Sequence, residues 1–279
     1  MAAIAANTLT RRAVLAAGAA LPFAAGAADA DPFAALEAKT GGRIGVAVLD
    51  TGNGRRMAWR DGERFTMCST FKFLAVATVL KRIDAGLEAG DRLVRYAQSD
   101  ILEYAPITKL HIAEGMTVSA LCAAAISYSD NTAANLLLHS CGGPAGVTGF
   151  ARRLGDPMTR LDRFEPALNV PDGDKDTTTP AAMLADLGAI LLGNMLSEIS
   201  RKQLTDWMIA NTTGAPMLRA GLPANWTIGD KTGHGSGAVN DIAIATPPGR
   251  APILISIYTM GGGDAVVADI GRIVAARFG

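Results

Sequence analysis

An α+β fold is predicted: a five-stranded antiparallel sheet flanked by terminal helices, with an inserted all-helical domain. Two observations carry it. Runs with strand character lie near the two ends of the sequence, and the long middle takes helical spacing. Composition agrees: of 279 residues 49% are hydrophobic and 19% charged, and 26 basic residues match 26 acidic ones. That balance leaves no excess positive charge to hold nucleic acid and far too much apolar content for a disordered chain. Only 5% of residues are aromatic, while Ala and Gly are plentiful, so the core is built from small side chains packed closely.

The first 30 residues read as an export signal. Arg11-Arg12 precedes an apolar run, Ala13 to Ala25, that is too short to span a bilayer. Ala25-Gly26-Ala27 and Ala28-Asp29-Ala30 both offer the small-residue pattern of a cleavage site, placing the cut after 27 or as late as 30. The adjacent arginines resemble the twin-arginine signal; the alternative is an ordinary secretory signal. Cleavage after Ala27 leaves 24 basic against 26 acidic residues, a net charge of −2. The mature chain is expected to be soluble, periplasmic and free of the membrane.

Asp31 to Lys39 reads as a short helix, with Pro32 at its first position and Gly41-Gly42 ending it. Arg43 to Asp50 and Arg56 to Arg60 read as two strands of a hairpin around the turn Asp50-Thr-Gly-Asn-Gly54. From Ser69 the apolar positions Phe73, Leu74, Ala77, Val79, Leu80 and Ile83 take helical spacing, stopping at Gly86. Further helices are expected at 118–126, 131–140, 144–154, 181–192 and 198–210, with Thr179 capping a helix that opens on Pro180. Trp226 to Lys231, Asn240 to Thr246 and Ile253 to Met260 read as strands, and Ala265 to Phe278 as the closing helix. The division expected is 31–65 plus 211–279 as an α/β domain and 66–210 as the inserted all-α domain, with a small-molecule cleft between them.

Cys68, Cys122 and Cys141 are an odd number without repeated spacing, so at most one disulfide can form. His111, His139 and His234 lie far apart, with no partner at metal-ligand spacing. No metal and no cofactor are expected.

Four clusters carry chemistry. Ser69 and Lys72 lie three apart at a helix start, so both project from one face. A neutral lysine can take the hydroxyl proton, and the free N–H groups of the helix start face developing oxyanion charge. Ser129-Asp130-Asn131 sits between two helices and combines a hydroxyl with an amide, although such residues also serve as caps. Lys231-Thr232-Gly233 follows a strand: lysine and threonine suit an anion, while glycine opens the strand edge to a substrate amide. In the aperiodic stretch 163–178, Glu165 with Asn169 suits a water-activating base, and Arg163 and Asp176 are placed to staple the loop's ends.

In this order, with Tyr104-Ala105-Pro106 before the second motif and Trp226 before the third, the set resembles the class A serine β-lactamases from about residue 31 to the end. The resemblance implies a β-lactamase/D,D-peptidase-like fold and hydrolysis of small-molecule β-lactams through an acyl-enzyme by a monomer, giving antibiotic resistance. It makes Ser69 the nucleophile, with Lys72, or Glu165 through a water, as base. Ser129 would protonate the leaving nitrogen. The N–H groups of Ser69 and His234 would form the oxyanion hole. Asn131 would hold the side-chain amide, Tyr104 would wall the site, and Lys231, Thr232 and Gly233, with His234, would meet the rest of the substrate, its carboxylate included. Glu165 and Asn169 would activate the deacylating water. That pair argues against a D,D-peptidase, and no membrane connection speaks for a β-lactam sensor.

The sequence departs from the family pattern in four places. Asn169 reaches Asp176 in fewer residues than usual. The turn after Gly233 is short, with His234 where a small residue or threonine is usual. No arginine stands where the family adds one to assist Lys231. Cys122 faces Val76 and Cys68 faces Gly235 at the family's disulfide positions, so neither disulfide is expected.

Overall fold

The computed structural model describes residues 31–279, so the export-signal reading lies outside the described residues. Helix α1 (Pro32–Thr40) leads into the hairpin β1 (Arg43–Asp50) and β2 (Arg56–Trp59). A two-residue strand β3 (Phe65–Thr66) precedes a single 3-10 turn at Cys68–Thr70 and helix α2 (Phe71–Asp84). Then come β4 (Leu93–Val94), β5 (Met116–Thr117), α3 (Val118–Ser127), α4 (Asn131–Ser140) and α5 (Gly143–Leu154). The chain continues through β6 (Thr177–Thr178), α6 (Pro180–Leu191), α7 (Glu198–Ile209) and α8 (Leu218–Gly221). Strands β7 (Thr227–Gly235), β8 (Ala238–Thr246) and β9 (Ile253–Met260) and helix α9 (Asp264–Phe278) complete it.

The sheet runs β2-β1-β9-β8-β7, antiparallel throughout, as the strand pattern predicts. Its two faces serve different neighbours. On β8 and β9, Ile242, Ile244, Leu254 and Tyr258 join the helical core. The alternate residues Ala243, Ala245, Ile253, Ile255 and Ile257 pack with Phe33, Val267, Ile270 and Val274 of the flanking helices. Both faces are covered, which is why these strands read as near-continuous apolar runs. Helix α2 is buried from Phe71 to Leu80, so it is enclosed on every side.

Two corrections to the sequence reading concern strands. The pairs β3–β6 and β4–β5 are two residues long each, too short for any periodicity to show. Strand β7 does not stop at Lys231 but runs on to Gly235, paired with β8 down to Gly235 opposite Ala238. Thr-Gly-His-Gly has little strand propensity of its own, and the partner strand supplies the register.

A buried carboxyl pair joins the middle of α6 to the segment that follows α5. Asp186 is 1% exposed; burial, then the neighbouring Asp156 carboxylate, pushes it up to about 9. Asp156 already accepts from the Met158 and Thr159 N–H groups. The folded state therefore keeps a proton that the unfolded state releases above about pH 4, so stability falls as pH rises from there to about 9. Asp186→Asn is expected to raise the melting temperature at pH 8 by several degrees and leave it nearly unchanged at pH 4. Calorimetry at the two pH values checks this.

Candidate active site

The nucleophile candidate is set by contacts on both sides of its turn. Cys68 holds a left-handed backbone (φ 46°), which a non-glycine residue adopts only when its surroundings impose it. Asn240 of β8 supplies that constraint, donating its amide to the carbonyls of Thr66 (2.9 Å) and Met67 (3.1 Å). Thr70 Oγ1 meets the Tyr258 hydroxyl at 3.0 Å. Strand β7 passes directly over the turn. A Cβ on Gly233 would stand 2.9 Å from the Met67 carbonyl and 3.2 Å from the Ser69 nitrogen. One on Gly235 would stand 2.6 Å from Cys68 Sγ and 2.7 Å from the Asn169 carbonyl, so only glycine fits this approach.

Lys72 lies one helical turn on from Ser69 and is fully buried. Its Nζ donates to Ser69 Oγ (2.9 Å), the Ser129 carbonyl (2.7 Å) and Asn131 Oδ1 (2.6 Å), and stands 3.2 Å from Glu165 Oε1. Burial, opposed by the Glu165 charge, moves its pKa below the ordinary lysine value. Ser69 Oγ also lies 3.3 Å from Glu165 Oε1. Either group is therefore within direct reach of the serine proton, and the choice of base left open by the sequence stays open on distance alone.

Ser129 sits at φ 57°, a second left-handed non-glycine residue, and its Oγ accepts from Lys231 Nζ at 3.0 Å. Lys231 is fully buried, and desolvation, then the Lys72 charge, pushes it down to about 7. An arriving anion beside it would draw the proton back. Asp130, between Ser129 and Asn131, is a structural cap: it accepts from Ala133 N and holds Ile107 N and Thr108.

Glu165 is presented by the loop that α5 leads into. Asn169 Nδ2 donates to its Oε2 at 2.5 Å, and the Asn135 side chain of α4 holds the Glu165 backbone, donating Nδ2 to its carbonyl and accepting its N–H on Oδ1, both at 3.0 Å. Arg163 Nε meets the buried Asp176 carboxylate at 2.6 Å, closing the loop's ends as its sequence suggests. The Asn169 carbonyl accepts from Ser236 N (3.1 Å), tying the loop to the end of β7. Removing Arg163 would strand Asp176 as a buried charge. Arg163→Ala is expected to cost about 3–5 kcal/mol of stability and to slow any reaction that depends on the position of Glu165. Denaturant melts and steady-state rates check both.

Ser69, Ser129, Asn131 and Thr232 line one cleft of about 410 Å³ together with Tyr104, Asn169, Thr213 and His234. Every side chain proposed from sequence is thus gathered in or directly beneath one cavity. Three contributors were not legible: Thr213, whose hydroxyl meets Thr232 Oγ1 at 2.5 Å, Asn135 and Asn240. None stands in a recognisable motif, and each acts on a residue distant in sequence. The three cysteines are free and buried, and burial pushes the Cys68 thiol up to about 12, so it carries no thiolate.

Comparison with known proteins agrees with this geometry. The model of the Beta-lactamase enzyme family matches residues 30–278. Beta-lactamase AST-1 of Nocardia asteroides is 47% identical over 262 residues, covering 90% of this chain and 84% of the relative. Beta-lactamase CTX-M-8 of Citrobacter amalonaticus is 48% identical over 81% of this chain and 79% of its own length. Among solved structures, an ancestral class A β-lactamase superposes with a TM-score of 0.86 at 55% identity, covering 88% of this chain and 98% of that one.

Proposed function

The chain belongs to the class A β-lactamases, and from that premise we propose how its residues divide the hydrolysis of β-lactam antibiotics. The observation that carries the assignment is the buried contact of Lys72 Nζ with Ser69 Oγ at 2.9 Å, in reach of Glu165. Ser69 Oγ attacks the lactam carbonyl carbon while its proton passes to neutral Lys72, whose burial favours that state. Oxyanion charge falls to the N–H groups of Ser69 and His234, and the nearness of β7 to the Ser69 nitrogen supports that pairing. The C–N bond then breaks and Ser129 gives its proton to the leaving nitrogen. Ser129 is resupplied along its contacts with Lys72 and Lys231.

Deacylation uses Glu165. A water held between Glu165 and Asn169 loses a proton to the carboxylate and attacks the ester carbonyl, and the proton returns to Ser69 Oγ as the ester bond breaks. Lys231, Thr232 and Gly233 receive the substrate carboxylate and backbone-like amide, Asn131 its side-chain amide, and Tyr104 walls the mouth. Asn131 Oδ1 is taken by Lys72, which leaves its Nδ2 for the substrate. Mixing the protein with excess chromogenic cephalosporin tests the scheme: colour is expected well beyond one equivalent, and a stall at one equivalent would remove Glu165 from the deacylating role.

Three further readings accompany it. Among the described residues no helix is long and apolar enough to cross a membrane. Arg11-Arg12 ahead of the apolar run supports export to the periplasm by the twin-arginine route, and the mature enzyme acts as a monomer. The all-α lobe 66–210 and the lobe formed by 31–65 with 211–279 meet along the cleft.

A further inference from the structure

A second cavity of about 410 Å³, as large as the catalytic cleft and sharing no lining residue with it, opens where α6 passes the segment that follows α5. Ala182 and Ala185 of α6 and Leu154, Pro157 and Met158 of that segment give it apolar walls. Its polar demand comes from Asp186, which lines it although almost fully buried. Among the described residues Asp186 Oδ2 meets no N–H or O–H donor, and the carboxyl's neighbour is Asp156. Arg152, the cation whose charge reaches Asp186, donates to the carbonyls of Asp156 (2.6 Å) and Thr159 (2.7 Å) and not to either carboxyl. The start of α6 offers an anion no free N–H: Ala181 N donates to the Asp61 carbonyl (2.9 Å), and Ala182 N and Met183 N to Thr179.

We propose that this cavity is a binding site for a small organic cation, an apolar body carrying an ammonium or amidinium head that donates to Asp186. Such a site lies beyond the hydrolytic reading and does not depend on it. The chemistry follows from what the site lacks. A buried carboxyl without a donor is costly, and a charge-assisted hydrogen bond removes that cost. In the empty site a proton serves instead, held on Asp186 by burial and by the Asp156 charge. An arriving cation takes the place of that proton beside the two carboxyls, and the proton leaves to solvent. The titratable and charged groups around Asp186 are Asp156, Arg152 and, on β9, Tyr258. The apolar walls receive the body of the molecule, the usual division of labour in a small-molecule site. A neutral molecule brings no charge to replace the proton, and an anion would meet two carboxyls.

Benzamidinium, with neutral benzamide and anionic benzoate as controls of matched shape, tests it by calorimetric titration and by melting temperature. Benzamidinium should bind the wild-type chain with a Kd on the order of 1 mM, the range open to so small a ligand, and raise the melting temperature. Benzamide and benzoate should bind at least about tenfold more weakly, for want of one charge-assisted contact. Asp186→Asn keeps the shape of the side chain, and should weaken benzamidinium by about the same tenfold while remaining folded. Ala185→Phe fills the cavity, leaves both carboxyls in place and should weaken it too; the melting temperature without ligand checks that this variant folds. Equal binding of the three probes, or benzamidinium binding unchanged in either folded variant, would overturn the proposal. So would the absence of saturable binding at concentrations about tenfold above that Kd. None of these readouts needs turnover, so their failure leaves the hydrolytic reading untouched, and a chain that hydrolyses no β-lactam would leave this site standing.

Discussion

Ser69→Ala is expected to abolish covalent labelling by penicillin and to lower kcat/KM by about six orders of magnitude, the scale on which nucleophile removal acts in serine hydrolases. The fold should survive. Lys72 loses one acceptor but keeps the Ser129 carbonyl at 2.7 Å, Ser129 Oγ at 3.3 Å and Asn131 Oδ1 at 2.6 Å. Cys68, adjacent in sequence, cannot replace the serine, because its thiol is buried and pushed up to about 12. Intact-protein mass after exposure to penicillin is the direct readout. A mass increment in Ser69→Ala, at unchanged melting temperature, would remove Ser69 as the nucleophile.

Glu165→Gln should separate the two halves of the reaction. The amide keeps the shape of the carboxylate and can still meet Asn169, which now donates to Oε2 at 2.5 Å, but it cannot accept a proton from water. Loss of a general base costs about 10²–10⁴ in rate, so turnover should fall to a burst of one equivalent followed by a stall. The acyl-enzyme should accumulate in the mass spectrum. Acylation itself is expected to continue, because Lys72 meets Ser69 Oγ without needing the carboxylate and burial already favours its neutral form. A fall in acylation as large as that in deacylation would give the serine proton to Glu165. Unchanged turnover would mean that the shortened loop has moved Glu165 out of the reaction.

What could be read in the sequence follows physical range. Ser69 and Lys72 were legible because three residues on one helix place two side chains together whatever the rest of the chain does. The caps at Thr179 and Asp130 are local in the same sense: each accepts an N–H three residues on. Arg163 and Asp176 lie 13 residues apart and bracket an aperiodic stretch, so their pairing was readable from the loop between them. Asn240 belongs to the other extreme. It holds the carbonyl of Thr66 across 174 residues, and nothing near it in the chain reveals a partner.

Local spacing and composition by themselves therefore determined the large sheet strands, the long helices and the motif residues, because side-chain periodicity and capping act within a few residues. Tertiary structure alone decided what those residues do to one another. Burial moves the Lys72 and Lys231 pKa values down; β8 carries β7 past Lys231 to Gly235. The seat of the nucleophile turn under β7, and the meeting of His234 with Asp264 at the head of the last helix, arise only there. These outcomes depend on desolvation and on contacts between segments far apart in the chain, and they exist only once the sheet has closed and water has left the cleft floor.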